Sequence, residues 1–93
     1  MHVYVARFAL DLPTNSLKGK RGIVKSLLAR ARNRFNVADA EIGRQDDPCS
    51  AVLGFVTVSP DRQYARQLLE RLEEWLVEDR PDVAVTAVEI EEW

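Results

Sequence analysis

The sequence has little of the material from which most enzyme and metal sites are built. Among its 93 residues there is one cysteine, Cys49, and one histidine, His2. A single cysteine cannot form an internal disulfide, which is typical of a protein kept in a reducing compartment, so we expect a cytoplasmic protein. One His and one Cys far apart in the chain do not supply the several donors that a metal site needs. We therefore predict no metal, no cofactor, no small-molecule substrate and no enzymatic activity.

Long apolar runs are also missing. No stretch approaches the roughly 18–20 apolar residues that cross a bilayer, and residues 1–4 lack the basic-then-apolar pattern of a signal peptide. Apolar residues make up 46% and charged residues 30% of the chain, which is ordinary for a globular protein. We expect no membrane association and one domain, residues 1–93.

Acidic residues are absent from one particular segment. Seven Lys or Arg residues and no Asp or Glu lie between Lys18 and Arg34, whereas Asp61 to Trp93 has ten acids against four bases. The formal net charge of −2 hides this segregation, because residues 1–35 sum to +7 and residues 61–93 to −6. Such a domain either neutralises itself internally or presents a basic face to an anionic partner.

Hydrophobic periodicity divides the chain into six elements. Alternating apolar residues predict strands at about 2–12, 37–44, 51–59 and 83–90. Apolar spacings of three, four and seven predict two helices. The first is capped by Asn15 or Ser16 and ends at Asn36; the second starts at Ser59-Pro60-Asp61 and is stopped by Arg80-Pro81-Asp82.

The order strand, helix, strand, strand, helix, strand indicates an α+β fold. It is the βαββαβ arrangement of the ferredoxin-like sandwich, a four-stranded antiparallel sheet with two helices on one face. Right-handed crossovers leave few other ways to bury two helical stripes on one sheet.

The first helix carries the candidate nucleic-acid-binding residues. On a helical wheel, Lys18, Arg21, Lys25 and Arg32 lie along one flank at spacings of three, four and seven, and Lys20 completes the candidate set. The predicted nucleic-acid-binding residues are Lys18, Lys20, Arg21, Lys25 and Arg32. Cations in the first turns oppose the helix dipole, so something outside the helix must favour them.

Two explanations compete for these cations. If the start of the first helix lies beside the end of the second, acids from Glu70 to Asp79 could neutralise them. Alternatively they contact phosphates, since a helix with several Lys and Arg on one exposed side is the usual footprint of a nucleic-acid or ribosome binder. The acidic sequence pI of about 5.4 stands against the second explanation.

Several short motifs resemble the bacterial YlxP-like family, domain of unknown function 503. The most distinctive is Ser16-Leu17-Lys18-x-Lys20-Arg21; others are Val24-Lys25-Ser26-Leu27-Leu28, Arg34-Phe35-Asn36-Val37, Ala40-Glu41-Ile42-Gly43-x-Gln45-Asp46, Ala51-Val52-Leu53-Gly54 and Val58-Ser59-x-Asp61. The resemblance implies a ferredoxin-like fold, no known enzymatic activity and genes often encoded near translation and ribosome-maturation factors. It therefore implies a ribosome-associated accessory role, with ribosomal RNA or a ribosomal protein as the partner. The chain departs from the family at Gly19 and Gly22, where Glu and Arg are more usual.

The sheet offers two further hypotheses. Tyr4 and Phe55 could stack on RNA bases as in RNA-recognition motifs, although two aromatics make a thin platform. A second possibility is that the open face of the sheet is apolar and forms a homodimer or a protein interface without nucleic-acid binding. The predicted interface residues are Val3, Val5, Val83, Val85 and Trp93.

Overall fold

A computed structural model describes all residues from Met1 to Trp93. Its elements are β1 His2–Asp11, α1 Leu17–Arg34, β2 Ala38–Gly43, β3 Ser50–Ser59, α2 Arg62–Asp79 and β4 Ala84–Glu92. The strands form one antiparallel sheet in the order β2-β3-β1-β4, with both helices on one face. This confirms the predicted ferredoxin-like sandwich. Neither helix is long and apolar enough to cross a membrane.

The alternation in β1 decides which face of the sheet is buried. Tyr4, Ala6, Phe8 and Leu10 point toward the helices and are buried. The Phe8 and Phe55 rings, from neighbouring strands, lie 5.3 Å apart between centroids in a tilted arrangement. Leucines of α2 and Val24, Leu27 and Ala31 of α1 cover this face, so the single core lies between the sheet and the helices.

Short polar side chains fix where the helices start. Ser16 caps α1, its Oγ accepting a hydrogen bond from the Gly19 backbone N–H at 3.0 Å. The second cap differs from the prediction: Asp61, not Ser59, accepts from the backbone of Gln63 and Tyr64. Ser59 remains in β3, paired with His2, so α2 begins two residues later than the Ser-Pro-Asp pattern suggested.

A β-bulge in β4 changes which of its side chains face the core. Ala9 pairs with Ala87 but Leu10 pairs with Val85, so Thr86 is the extra residue. The bulge lets Val85 and Val88, three residues apart, both face the helices. Val83 is likewise buried. The prediction that Val83 and Val85 lie on the open face of the sheet is therefore wrong.

The two helices run antiparallel but are staggered. Arg30, four residues from the end of α1, contacts Asp79, the last residue of α2, at 2.6 Å. Farther along, the Phe35 and Trp75 rings meet edge to face at 5.8 Å. The first half of α1 thus extends past the end of α2. About 18 Å of helix separates Arg30 from Lys18 at 1.5 Å per residue.

Candidate functional site

Lys20 is not available to a partner. Its side chain is 2% exposed, and Nζ lies 2.9 Å from Glu41 Oε2, which has no other polar partner. The ammonium also donates to the backbone carbonyls of Arg44 at 2.5 Å and Asp47 at 2.7 Å, with Gln45 O at 3.4 Å. Lys20 thus holds the turn between β2 and β3 against α1, and its assignment to the nucleic-acid-binding set is wrong.

The position of Lys20 in the sequence already indicates that its side chain is buried. Lys20 precedes Leu27 by seven residues and Ala31 by eleven, which places it on the buried stripe of α1 rather than on the basic flank. A lysine on a buried stripe requires a carboxylate or carbonyl partner. Glu41, in the predicted second strand, was such a candidate.

Arg32 is also engaged within the protein. Its guanidinium donates to Asp39 Oδ1 at 2.5 Å, and the Asp39 side chain is fully buried. Asp39 Oδ2 is buried without a hydrogen-bond partner. Burial raises the pKa of Asp39, and the Arg32 guanidinium offsets part of that rise. Half of the Arg32 side chain remains exposed, but its charge is already paired.

The buried carboxylate makes a specific pH dependence testable with Asp39→Asn. Because the pKa of Asp39 is higher in the folded protein than in the unfolded chain, folding takes up a proton as the pH falls toward the ordinary aspartate value of 3.8. This group therefore favours the folded state more at low pH than at neutral pH. We expect the unfolding free energy of wild type, relative to Asp39→Asn, to rise as the pH falls from 7 to 4 in urea titrations.

Asp82→Asn is the control for that series. Hydrogen bonding from Arg80 lowers the pKa of Asp82, so this carboxylate stabilises the fold at neutral pH and loses that effect on acidification. The unfolding free energy of wild type relative to Asp82→Asn should fall over the same range. Parallel trends for the two variants would contradict the buried state of Asp39.

Three of the five predicted nucleic-acid-binding residues lie unpaired on the surface. Lys18, Arg21 and Lys25, hereafter the basic row, are exposed and form no ion pair. Spacings of three and four keep them on one flank of α1, over about 10 Å of helix. No acidic residue lies in the first turn. The other cations without a carboxylate partner are Arg34, Arg44 and Arg71.

The stagger of the helices rules out the neutralisation predicted as an alternative. The end of α2 reaches Arg30, not the first turns of α1, and Asp79 pairs there. Glu73, Glu74 and Glu78 make no ion pair with any base. The expectation that acids of α2 neutralise the start of α1 is therefore wrong.

The open face of the sheet is the second exposed feature. Its central part is apolar and consists of Val3 and Val5 from β1 with Val56 and Val58 from β3. The Trp93 side chain, 83% exposed, lies beside Val3, Val5 and Val56 around a groove of about 340 Å³. The Trp93 backbone N–H donates to Val3 O at 2.8 Å, which extends the pairing of β4 by one residue.

A shallow hollow lies on the same face, toward β2. It measures about 300 Å³, and its walls include Val5, Ala38, Ala40, Ile42 and Val56. Gly54 leaves room for Ile42, because a Cβ at this position would lie 3.1 Å from Ile42 Cδ1.

Arg7 is a charged side chain of β1 on this face. It donates to Glu91 at 2.8 Å and lies 3.9 Å from Glu89, both on β4. The pKa of Arg7 is raised, mainly by the hydrogen bond to Glu91. Tyr4 and Phe55 face the core and are buried, so they cannot stack on RNA bases at the open face.

The remaining reactive side chains do not converge. Cys49 is exposed in the β2–β3 turn, where its backbone N–H donates to Asp47 Oδ1 at 2.9 Å. That hydrogen bond and one from Ser50 lower the pKa of Asp47. His2 Nδ1 lies 2.8 Å from Glu92 Oε2 at the sheet edge. No group of three or more His, Cys, Asp or Glu side chains is arranged to hold a metal ion.

Comparison with protein families identifies the chain. A family model described as "Protein of unknown function (DUF503)" matches residues 3–90. The chain belongs to the DUF503 family. The uncharacterized protein YlxP of Bacillus subtilis (strain 168) is 40% identical over 57 residues, which is 61% of this chain and 62% of that relative. The aligned part thus spans less than two thirds of the relative. Both findings confirm the predicted resemblance.

Two solved structures are similar to this DUF503 protein. The crystal structure of a putative chlorite dismutase has a TM-score of 0.57 and 11% sequence identity, over 99% of this chain and 44% of that chain. The apo C-terminal domain LarC2, from a cyclometallase involved in the synthesis of the NPN cofactor of lactate racemase, has a TM-score of 0.43 and 16% identity. It covers 100% of this chain and 55% of the LarC2 chain. At such identities the first likeness shows the fold alone.

Proposed function

We propose that this DUF503 protein is a non-enzymatic cytoplasmic accessory factor that binds ribosomal RNA through the basic row. The observation that carries the proposal is that Lys18, Arg21 and Lys25 are exposed and unpaired, while the other cations of α1 except Arg34 are held by carboxylates. The three side chains follow one flank of a helix, which is how a short helical segment lies along a phosphate backbone.

Local energetics support a role outside the fold. Cations in the first turns of a helix are disfavoured by its dipole, and Arg21 and Lys25 repel each other at a spacing of four. Neither cost is offset by an acid, since no acid of the protein pairs with these residues. A bound polyanion would offset both.

Salt dependence gives the proposal a quantitative test. Three phosphate contacts predict that the logarithm of the RNA affinity falls with the logarithm of the salt concentration with a slope of about −2.1 to −2.7. Between 50 and 200 mM salt, binding to ribosomal RNA should weaken about 20- to 40-fold. The neutral variant Lys18→Gln, Arg21→Gln, Lys25→Gln should bind weakly and lose most of this slope.

The chain offers a matched control. Arg34→Gln, Arg44→Gln, Arg71→Gln removes the same number of unpaired positive charges from other parts of the surface. This control should keep most of the affinity and slope of wild type. Equal losses in both variants would show that total charge, not the basic row, governs binding. Binding to intact ribosomes without binding to their isolated RNA would instead identify a ribosomal protein as the partner and overturn the assignment of RNA.

A further inference from the structure

The open face of the sheet is more apolar than a surface in contact with water needs to be. Four valines of β1 and β3, together with Ile42 and Trp93, lie on it with no covering element. The one central cation, Arg7, is already paired with Glu91 and Glu89. The four valines carry no charge, and Arg7 with Glu89 and Glu91 leaves one excess negative charge toward β4.

The dimensions of this face suit an interface between two proteins. Four strands about 4.8 Å apart, nine or ten residues long except for the shorter β2, give a face on the order of 600 Å² in projection. A stable interface buries about 800 Å² of accessible surface on each partner. Since accessible area exceeds projected area on a corrugated sheet, this face alone approaches that requirement.

The face also carries a projection and a depression on opposite sides of the sheet. Trp93 extends β4 at one side of the sheet, level with Val3, while the hollow lies over β2 and β3, level with Val5 and Arg7. A two-fold axis along the strand direction, between β1 and β3, exchanges the β4 side of one sheet with the β2 side of the other. Because this operation keeps the level along the strands, the Trp93 of each copy faces the β2 side of its partner about two residues, or ~7 Å, from the near end of the hollow.

From the apolar character and the size of this face we infer that the open face binds a second copy of the same chain in a two-fold symmetric dimer. An isologous contact pairs the same patch of both subunits, and an apolar patch can be buried against its own copy. Packed sheets lie about 10 Å apart and cross at about 30°, a separation that leaves room for a tryptophan side chain between them. The helices, and with them the basic row, remain on the outside of the dimer.

Sedimentation equilibrium between about 1 and 100 µM tests the inference. Wild type should approach twice the 10.6 kDa mass of the single chain. Val58→Glu places a charge in the middle of the interface and should weaken association roughly 100-fold or more. Val77→Glu is the matched control, since Val77 on α2 is 48% exposed and Val58 is 49% exposed; it should associate like wild type.

A second variant tests the contribution of Trp93 to the interface. Trp93→Ala should weaken association roughly 30-fold or more, as expected of an interface tryptophan that carries much of the binding energy. Circular dichroism of each variant would confirm that it is folded. A single-chain mass for wild type at all concentrations, or dimers of Val58→Glu as stable as those of wild type, would overturn the inference.

These outcomes are independent of RNA binding. The basic-row variant Lys18→Gln, Arg21→Gln, Lys25→Gln should form dimers like wild type, because none of its substitutions is on the sheet. Failure of the dimer and failure of the proposed function can thus be told apart.

Discussion

Replacing Lys20 with methionine is expected to cost about 3–5 kcal/mol of unfolding free energy, the range seen when one partner of a buried ion pair is removed. Methionine fills a similar length but donates no hydrogen bond. The change leaves Glu41 Oε2 and the carbonyls of Arg44 and Asp47 without their ammonium partner. Because small domains have a total stability of about 5–15 kcal/mol, this single substitution would remove much of it. Urea denaturation followed by circular dichroism measures the loss.

Lys18→Met is the matched control for this measurement. It makes the same chemical change two residues earlier in the same helix, at an exposed and unpaired position, and should change stability by about 0.5 kcal/mol or less. The double variant Lys20→Met, Glu41→Met should recover part of the loss, because replacing both members of a buried pair by apolar residues is far less costly than removing one. Equal stability of Lys20→Met and Lys18→Met would contradict the buried arrangement of Lys20.

Reversing the charge of the basic row should change stability and RNA binding in opposite directions. For Lys18→Glu, Arg21→Glu, Lys25→Glu we expect the RNA affinity at about 0.1 M salt to fall by a factor on the order of 100 or more, since three phosphate contacts become repulsive. The same change should raise the unfolding free energy by about 0.3–1 kcal/mol, because Glu at position 18 places an acid in the first turn of α1. Thermal unfolding and filter binding on one preparation would measure both quantities.

These two measurements distinguish a basic row that binds RNA from a basic row that stabilises the fold. If the basic row served the fold, its reversal would destabilise the protein, and any loss of RNA binding would follow from unfolding. Arg34→Glu, Arg44→Glu, Arg71→Glu changes the net charge equally and should retain most of the RNA affinity. A stable reversed variant that binds RNA like wild type would remove the basic row from the proposed function.

The order of the elements could be predicted because each of them has a local cause. Alternation in β1, the stripe from Val24 to Ala31 in α1 and the breakers around Pro60 and Pro81 act within a few residues, so the sequence pattern carries them. The family resemblance rests on equally local motifs and was confirmed. The predicted helix start was accurate at Ser16 for α1 and two residues early for α2, where pairing of Ser59 in the sheet overrides its capping tendency.

The wrong predictions concern residues whose positions depend on tertiary structure. The stagger that leaves Lys18 beyond the end of α2 depends on how both helices dock on the sheet, which no local spacing encodes. The bulge at Thr86 places Val83 and Val85 on the core side, because one extra residue reverses the alternation of the residues before it relative to Val88 and Ile90. The position of Lys20 was available from its spacing to Leu27, but its positive charge suggested the wrong face.

The part of α1 that extends past the end of α2 affects the cooperativity of local unfolding. Its first turn lies beyond the end of α2, and the Lys20 contacts to Glu41 and to the turn from Arg44 to Asp47 join it to the rest of the molecule, while Ile23 and Val24 of the next turn pack on the core. This first turn of the helix and the β2–β3 hairpin tip should therefore open and close as a single unit in local fluctuations, although more than twenty residues separate them along the chain. The segment that presents the exposed cations is rigid only as long as that hairpin tip stays in place.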